Sequence, residues 1–359
     1  MAKDPLYEIA LSMQLHTKVR KQLAMVEQYG SAEAAWHALE EAGKPETLER
    51  AKRELEWIEK HGIRVWTHDD PDYPYRLRQC IDRPPVLYGK GNLNLSDGHF
   101  VSIVGTRRAS ERGKELTTKL VQELHEQLEQ VTIVSGGAYG IDIAAHRAAM
   151  DCGIQTIIVP AHGLDRIYPQ VHRPDAVRAL GNGGLLTEFP SGTDPLALYF
   201  LQRNRIVAGL ADAVVVVESR ERGGSLSTAH MARDYDRELF AFPGRPSDPS
   251  SIGCNNLIRA NKAQLIDNAE DLIKAMGWTT RNAPQQSRQM RMVGLYDHLS
   301  QEQQELMQIL QTAEDGMHIN LLVMQTEREY SEISSDLMML EIEGLVKSLP
   351  GGYYRTTSL

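Results

Sequence analysis

Four turns in this 359-residue chain combine glycine, hydroxyl and arginine residues directly after apolar runs. Gly105-Thr106-Arg107-Arg108-Ala109-Ser110 follows the run at 100–104. Gly105 permits a tight turn, Ser110 can cap the next helix, and Arg107 stands over exposed backbone N–H groups. Together they make a cradle for an anion such as phosphate. Ser135-Gly136-Gly137-Ala138-Tyr139-Gly140 ends a second run, and its three glycines let backbone approach a ligand closely. Asp142 is expected to cap the following helix, with His146 one turn on. Residues 161–169 offer polar groups and Tyr168 after a third run. Arg222-Gly223-Gly224-Ser225-Leu226-Ser227-Thr228 repeats the glycine-hydroxyl pattern at the start of another helix. Each turn alone also reads as ordinary packing or solvated loop; their convergence is the specific signal.

Between these turns lies Tyr199-Phe200-Leu201-Gln202-Arg203-Asn204-Arg205. Residues 203 and 205 cannot share a helix face. One is expected to bind an anion and the other to make a structural ion pair, while Tyr199 and Phe200 offer flat faces for a base. Two nucleotide motifs are absent from the first turn. A dinucleotide fingerprint needs glycine at 107, where arginine stands. A Walker loop needs Gly-Lys-Ser/Thr, but here Lys114 precedes Glu115. No cofactor is therefore expected.

A net charge of −9 argues against coating nucleic acid by bulk charge, so any anion site must be local. Cys80, Cys152 and Cys254 lie far apart without a C-x-x-C, as in reduced cytoplasmic chains. Lone histidines such as His16, His37 and His298 read as surface or packed residues rather than metal ligands. The start, MAKDPLYEIA, lacks an apolar signal core, and the longest apolar runs are strand-sized, so no membrane span is expected.

The elements that must carry these turns follow from periodicity. Residues 1–65 have apolar residues at helical spacing, with Ser31 as an N-cap. The stretch 68–93 is rich in Pro, Asp and Tyr and reads as loop with one strand at 86–88. From 100 to 276, apolar strands (100–104, 131–135, 156–160, 185–189, 213–218, 238–242) alternate with amphipathic helices (111–129, 142–150, 196–210, 226–235). That rhythm predicts an α/β domain with a doubly wound, mostly parallel, Rossmann-like sheet. Residues 280–294 read as linker. The tail reads as helices, then strand, Pro-Gly-Gly turn and strand, the pattern of a winged helix.

VGTRRASERG, SGGAYGIDIAAH, GLDRIYP, LTEFPSGTDP, FLQRNRIVAGLADAVVVVES, GGSLSTAHMA, FAFPG and GCNNLI, in this order, resemble the DNA-processing protein A (DprA/Smf) family. The resemblance covers nearly the whole chain, most firmly residues 70–276. It implies a helical SAM-like, helix-hairpin-helix-like domain at 1–68, an extended Rossmann-like DNA-binding domain at 69–280, a linker at 281–297 and a winged helix at 298–359. It further implies a non-enzymatic single-stranded DNA binder that dimerises through the Rossmann-like domain. Such proteins recruit and help load RecA recombinase during natural transformation. The residues implied to bind single-stranded DNA are Gly105, Thr106, Arg107, Arg108, Ser135, Gly136, Gly137, Phe200, Arg203, Asn204, Gly223, Gly224 and Ser225. The chain departs from the family in three places. SMQLHTK replaces the Gly-x-Gly hairpin of the N-terminal region, Gln170 stands where a basic residue often follows Tyr-Pro, and RANKAQ replaces the acidic-Gly-Ala ending.

Two rival readings remain at this level. A nucleotide phosphoribohydrolase-like enzyme on a similar core would need a glutamate where His230 or Met231 stands, with Glu188 and Asp165 as other carboxylates. A duplex reader would use residues 331–342, SEISSDLMMLEI, which hold no arginine for a guanine edge.

Overall fold

The computed structural model of the chain describes residues 4–39, 44–281, 299–311, 313, 316–326, 328–349 and 352–357. The expected linker, from 282 onward, lies outside the described residues, as do His298 and Pro350 and Gly351 of the expected turn. Contacts divide the chain into two units, Met1–Leu272 and Ile273–Leu359.

The first unit is built on a sheet of β1 (Arg64–Thr67), β2 (Val86–Asn92), β3 (His99–Val104), β4 (Val131–Ser135), β5 (Gln155–Ile158), β6 (Gly183–Thr187), β7 (Ala213–Val216), β8 (Glu238–Ala241) and β9 (Gln264–Leu265). Their spatial order is β1-β2-β6-β5-β4-β3-β7-β8-β9. Strands from β6 to β9 run parallel; β2 joins β6, and β1 joins β2, in antiparallel sense. The central strands are buried at nearly every position because helices cover both faces; β4 and β7 are buried throughout. The chain winds outward from β3 toward β4 on one side and later resumes at β7 on the other. That reversal opens a crevice beyond the carboxyl ends of β3, β4 and β7. The fold class is the expected doubly wound α/β sheet.

Several boundaries differ from the periodicity reading. The strand expected at 185–189 starts at Gly183, because two glycines let neighbouring backbone close in: a side chain on Gly184 would collide with the Lys90 carbonyl. The expected loop 68–93 contains β2 and a short helix, Tyr75–Arg78. Its buried Arg76 pairs with Asp212 at 2.7 Å and donates to the carbonyls of Ser96 (3.1 Å) and Gly98 (2.8 Å), stapling this segment beside β7.

Helices Leu6–Leu15, Val19–Tyr29, Ala32–Ala38 and Lys44–His61 form the N-terminal region. Ser31 caps the third, its hydroxyl accepting from Ala34 N at 3.1 Å. Ile9, Leu11, Trp36 and Ala51 share one apolar cluster with Val86 and Tyr88 of β2, so these helices belong to the first unit.

The second unit is a winged helix. Helices Gln301–Gln311, Ile319–Thr326 and Tyr330–Ile342 pack through Leu306, Leu310, Leu322, Ile333 and Leu337. Strands β10 (Met317–His318), β11 (Val346–Leu349) and β12 (Tyr353–Thr356) form an antiparallel sheet in the order β10-β12-β11. Among the described residues no helix is long and apolar enough to cross a membrane.

Candidate functional site

The turns after β3, β4 and β7 meet around a cleft of about 570 Å³. The β3 turn is clamped from β7. Thr106 N donates to the Glu218 carbonyl at 2.8 Å. The Glu218 carboxylate accepts from Ser110 N at 2.9 Å and from the Ser110 hydroxyl. Ser110 in turn caps the helix Glu111–Gln127, accepting from Gly113 N at 3.0 Å. Arg107 therefore projects from a turn fixed at both ends, and its side chain is exposed.

The β4 turn packs on the β3 turn. Ile141 N donates to the Thr106 carbonyl at 3.3 Å. Gly140 holds φ +80° with its α-carbon facing that carbonyl, so a side chain there would be both strained and obstructed. Gly136 is small for another reason: a β-carbon would overlap the Arg203 guanidinium. The N-cap of the helix Ile141–Asp151 is Gly140, which corrects the expectation for Asp142. Asp142 instead turns a buried carboxylate back, accepting from Ala138 N at 3.4 Å beside Arg203.

The helix Ala197–Gly209 supplies the wall of the cleft, lining it with Phe200, Arg203 and Asn204. Arg205 points away, pairs with the buried Glu188 and donates to the Asp82 carbonyl at 2.6 Å. The two arginines thus divide as their spacing requires. The Arg107 guanidinium lies 5.0 Å from the Phe200 ring centroid, and that of Arg203 lies 5.9 Å away. Tyr168 meets Phe200 edge-on at 5.9 Å. His162 positions Tyr168: its Nε2 accepts from Tyr168 N at 3.1 Å, leaving Nδ1–H to donate to the Gly163 carbonyl at 2.9 Å.

On the β7 side, Arg220, Arg222, Gly223 and Gly224 are exposed at the rim. The helix Gly224–Asp234 starts here without a side-chain cap, so its first N–H groups face the cleft end of the helix. Open space surrounds the α-carbon of Gly224, so packing does not demand glycine there. Ser225 donates to the Ser219 hydroxyl at 3.0 Å and holds the turn.

Among the described residues, Arg107, Arg220 and Arg222 make no ion pair with a side chain. Arg203 differs, being only 3% exposed. Burial pulls its pKa down to about 10, opposed by the Asp142 charge, so the guanidinium remains cationic at neutral pH. Burial likewise pushes the Asp142 carboxyl up, opposed chiefly by Arg203. Behind them, burial and Arg203 lower His146 to about 3; this neutral ring shares a 2.7 Å hydrogen bond with the Thr156 hydroxyl. The floor of the cleft thus presents a cation balanced by one carboxylate, and the rim presents cations that form no side-chain ion pair among the described residues.

Gly105, Thr106, Arg107, Gly136, Phe200, Arg203, Asn204, Gly223, Gly224 and Ser225 all line this cleft. Arg108, Ser135 and Gly137 do not. The Ser135 hydroxyl is buried and donates to the Ile103 carbonyl at 2.6 Å. Gly137 is buried at φ +67°, serving the turn rather than the cleft. Arg108 is exposed outside the lining. The sequence reading missed Arg220, which sits two residues before the turn it singled out, and Glu218, whose acid at the end of an apolar strand was the available signal.

Of the carboxylates considered for catalysis, Glu188 is spent on Arg205. Asp165 pairs with Arg166 and accepts from Gly192 N at 2.8 Å. His230 is exposed outside the lining, which leaves Asp142 as the carboxylate in the cleft. Among the described residues no group of three His, Cys, Asp or Glu side chains could hold a metal ion. Burial pushes the Cys80 and Cys254 thiols up to about 11 and about 12, which makes them inert.

The family model for DNA recombination-mediator protein A matches residues 64–277, and that for the DprA winged helix domain matches residues 295–352. Protein Smf of Synechocystis is 34% identical over 332 residues, covering 84% of this chain and 83% of the relative. DNA processing protein DprA of Streptococcus pneumoniae is 40% identical over 205 residues, covering 57% of this chain and 71% of the relative. A DprA relative from Mycobacterium tuberculosis is 38% identical over 248 residues, or 66% of this chain, and the match spans 63% of that relative's length. Among solved structures, DNA processing protein A from Streptococcus pneumoniae superposes with a TM-score of 0.64 at 32% identity, covering 76% of this chain and 98% of that one. The structure of DNA processing protein A from Helicobacter pylori, which concerns that protein's single-stranded DNA binding mode, superposes with a TM-score of 0.54 at 32% identity. It covers 60% of this chain and 95% of that one.

Proposed function

The chain belongs to the DNA recombination-mediator protein A family, and from that premise we propose that it binds single-stranded DNA in the cleft beyond β3, β4 and β7. The observation that carries this reading is the gathering of unpaired Arg107, Arg220 and Arg222 with the open turn at Gly223 and Gly224 around the Phe200 ring. Guanidinium and backbone N–H groups hold phosphates without reading sequence, and an aromatic face accepts an unstacked base. A duplex offers no free base faces to such a cleft. In a chain of net charge −9 the attraction must come from local clusters of cations such as this rim.

The same reading makes the protein a binder rather than an enzyme. Glycosidic cleavage needs a carboxylate free to stabilise charge on the sugar, and Asp142 is engaged by Arg203 and Ala138 N. We extend the reading to a cytoplasmic homodimer, joined through the Rossmann-like domain, that recruits RecA and helps load it on incoming strands. Two clefts on one strand gain affinity through linkage, roughly 10²–10⁴-fold when geometry permits. The domain plan that goes with it is helical at 1–68, DNA-binding at 69–280, linker at 281–297 and winged helix at 298–359.

Fluorescence anisotropy with matched single and double strands tests the central claim, with Arg107→Ala as the diagnostic variant. The expected result is a preference for single strands that Arg107→Ala largely removes. Equal affinity for the two forms, or an unchanged Arg107→Ala protein, overturns it. Sedimentation velocity tests the dimer, and RecA filament assembly on single strands tests loading. Release of nucleobase from a mononucleotide would restore the enzymatic alternative.

A further inference from the structure

A second basic hollow lies at the end of β8, in the FAFPG motif that the cleft does not absorb. Pro243, Gly244 and Arg245 line it with Arg112, and it is open, with a volume of about 550 Å³. Taking the cleft as a single-strand site, we propose that the strand continues from it into this hollow, where Arg112 and Arg245 hold the phosphates of flanking nucleotides.

The two depressions share their supports. Strands β7 and β8 are adjacent and parallel, so Arg220 and Arg245 leave neighbouring strand ends on one edge of the sheet. Paired strands lie about 4.8 Å apart, so the two loops leave the sheet side by side. The helix Ile252–Arg259 ties both loops together. Gly253 N donates to the Ser219 carbonyl at 2.8 Å. Asn255 accepts from Gly244 N at 3.1 Å and donates to the Gly244 carbonyl at 3.0 Å. Arg112 stands in the first turn of the helix that Glu218 locks to β7 through Ser110.

The charges favour a polyanion. Among the described residues neither the Arg112 nor the Arg245 side chain makes an ion pair or hydrogen bond, and both residues are exposed; the Arg245 carbonyl accepts from Asp248 N at 3.0 Å. The Asp248 carboxyl is held below its usual range, chiefly by hydrogen bonds from Ser250 and to a smaller extent by the Arg112 charge. Its oxygens accept from Ser250 N (2.9 Å), the Ser250 hydroxyl (2.8 Å) and the Ser251 hydroxyl (3.3 Å). Glu111 is held by Lys114 at 2.7 Å, and Glu221 remains as an exposed acid between Arg220 and Arg222. Among the described residues no aromatic side chain lines the hollow, so it suits phosphates and not stacked bases.

The test compares oligothymidylates of about 5 and about 20 nucleotides, using the full chain and its Arg112→Ala/Arg245→Ala variant. The short strand fills the cleft alone; the long one reaches the hollow. The expected result is unchanged affinity for the short strand and roughly tenfold weaker binding of the long one. The salt slope for the long strand should fall by about 1.4, the contribution of two single-strand phosphate contacts. Arg112→Lys/Arg245→Lys, which keeps both charges, should restore most of the long-strand affinity. Equal losses for both lengths, or no loss for either, overturn the extension while Arg107→Ala still reports on the cleft. A wild-type chain that binds neither length overturns the cleft and its extension together.

Discussion

The cleft and the recognition helix of the winged-helix unit are both exposed, yet their chemistry is opposite. The cleft gathers guanidinium groups that other side chains leave unpaired. The helix Tyr330–Ile342 carries no basic residue, and Tyr330, Met338 and Ile342 are 54%, 64% and 71% exposed along one stripe. Arg328, just before it, is committed to Asp336 at 2.5 Å. Lys347 and Arg355 stand opposite each other across β11 and β12, outside that helix's own sequence. A winged-helix fold therefore does not imply groove reading here. Shape is inherited with the fold, whereas the capacity to bind a polyanion depends on which side chains the shape leaves unneutralised.

The largest effect that would separate the two regions is on Arg107. Arg107→Ala should weaken single-strand binding by about 1.5–3 kcal/mol, ten- to a hundredfold, with an unchanged melting transition. Titration of a labelled oligonucleotide reads this directly, and a null result would shift attention to the winged helix. Phe200→Ala should cost about 1–3 kcal/mol of affinity, the worth of a stacked base. Because the Arg107 guanidinium rests on that ring, the double variant should lose less than the sum of the singles; strict additivity would place the two groups on separate nucleotides.

A third contrast concerns pH. His146 is buried near pKa 3 in the fold, against about 6.5 in the unfolded chain. Below pH 6.5 the unfolded state binds more protons than the native one, so stability falls on acidification, by up to about 1.4 kcal/mol per pH unit from this group. Above pH 6.5 the group contributes no slope. Thermal melts of wild type and His146→Gln should diverge in their pH dependence only on the acid side, in the first unit. Parallel profiles would mean that the ring is protonated in place. The smallest effect should come from Met338→Ala with Ile342→Ala: single-strand affinity unchanged and stability altered by about 0.5 kcal/mol or less per site. A marked loss of DNA binding in that variant would reverse the comparison.

Much of the site was legible because its constraints are local. Ser110 caps its helix as its position before Glu111 implies, and residues 203 and 205 diverge because a helix turns about 100° per residue. The expectations that failed involve partners distant in the chain. Ser135 looked free because its acceptor is the carbonyl of Ile103, on the neighbouring strand. Asp142 looked like a cap because Arg203, its counter-charge, is sixty-one residues on. Glu218 passed as a strand residue because Ser110, the group it clamps, precedes it by 108 positions.

The sequence by itself determined the alternation of apolar strands and amphipathic helices, the family, and the residue types available at each strand end. Periodicity, turn chemistry and charge act over a few residues and can be read along a chain. Tertiary structure alone decided which of those groups face the cleft, which arginines are neutralised and which stay available. Pairing and burial depend on distance in space, and folding brings together charges that the chain keeps far apart.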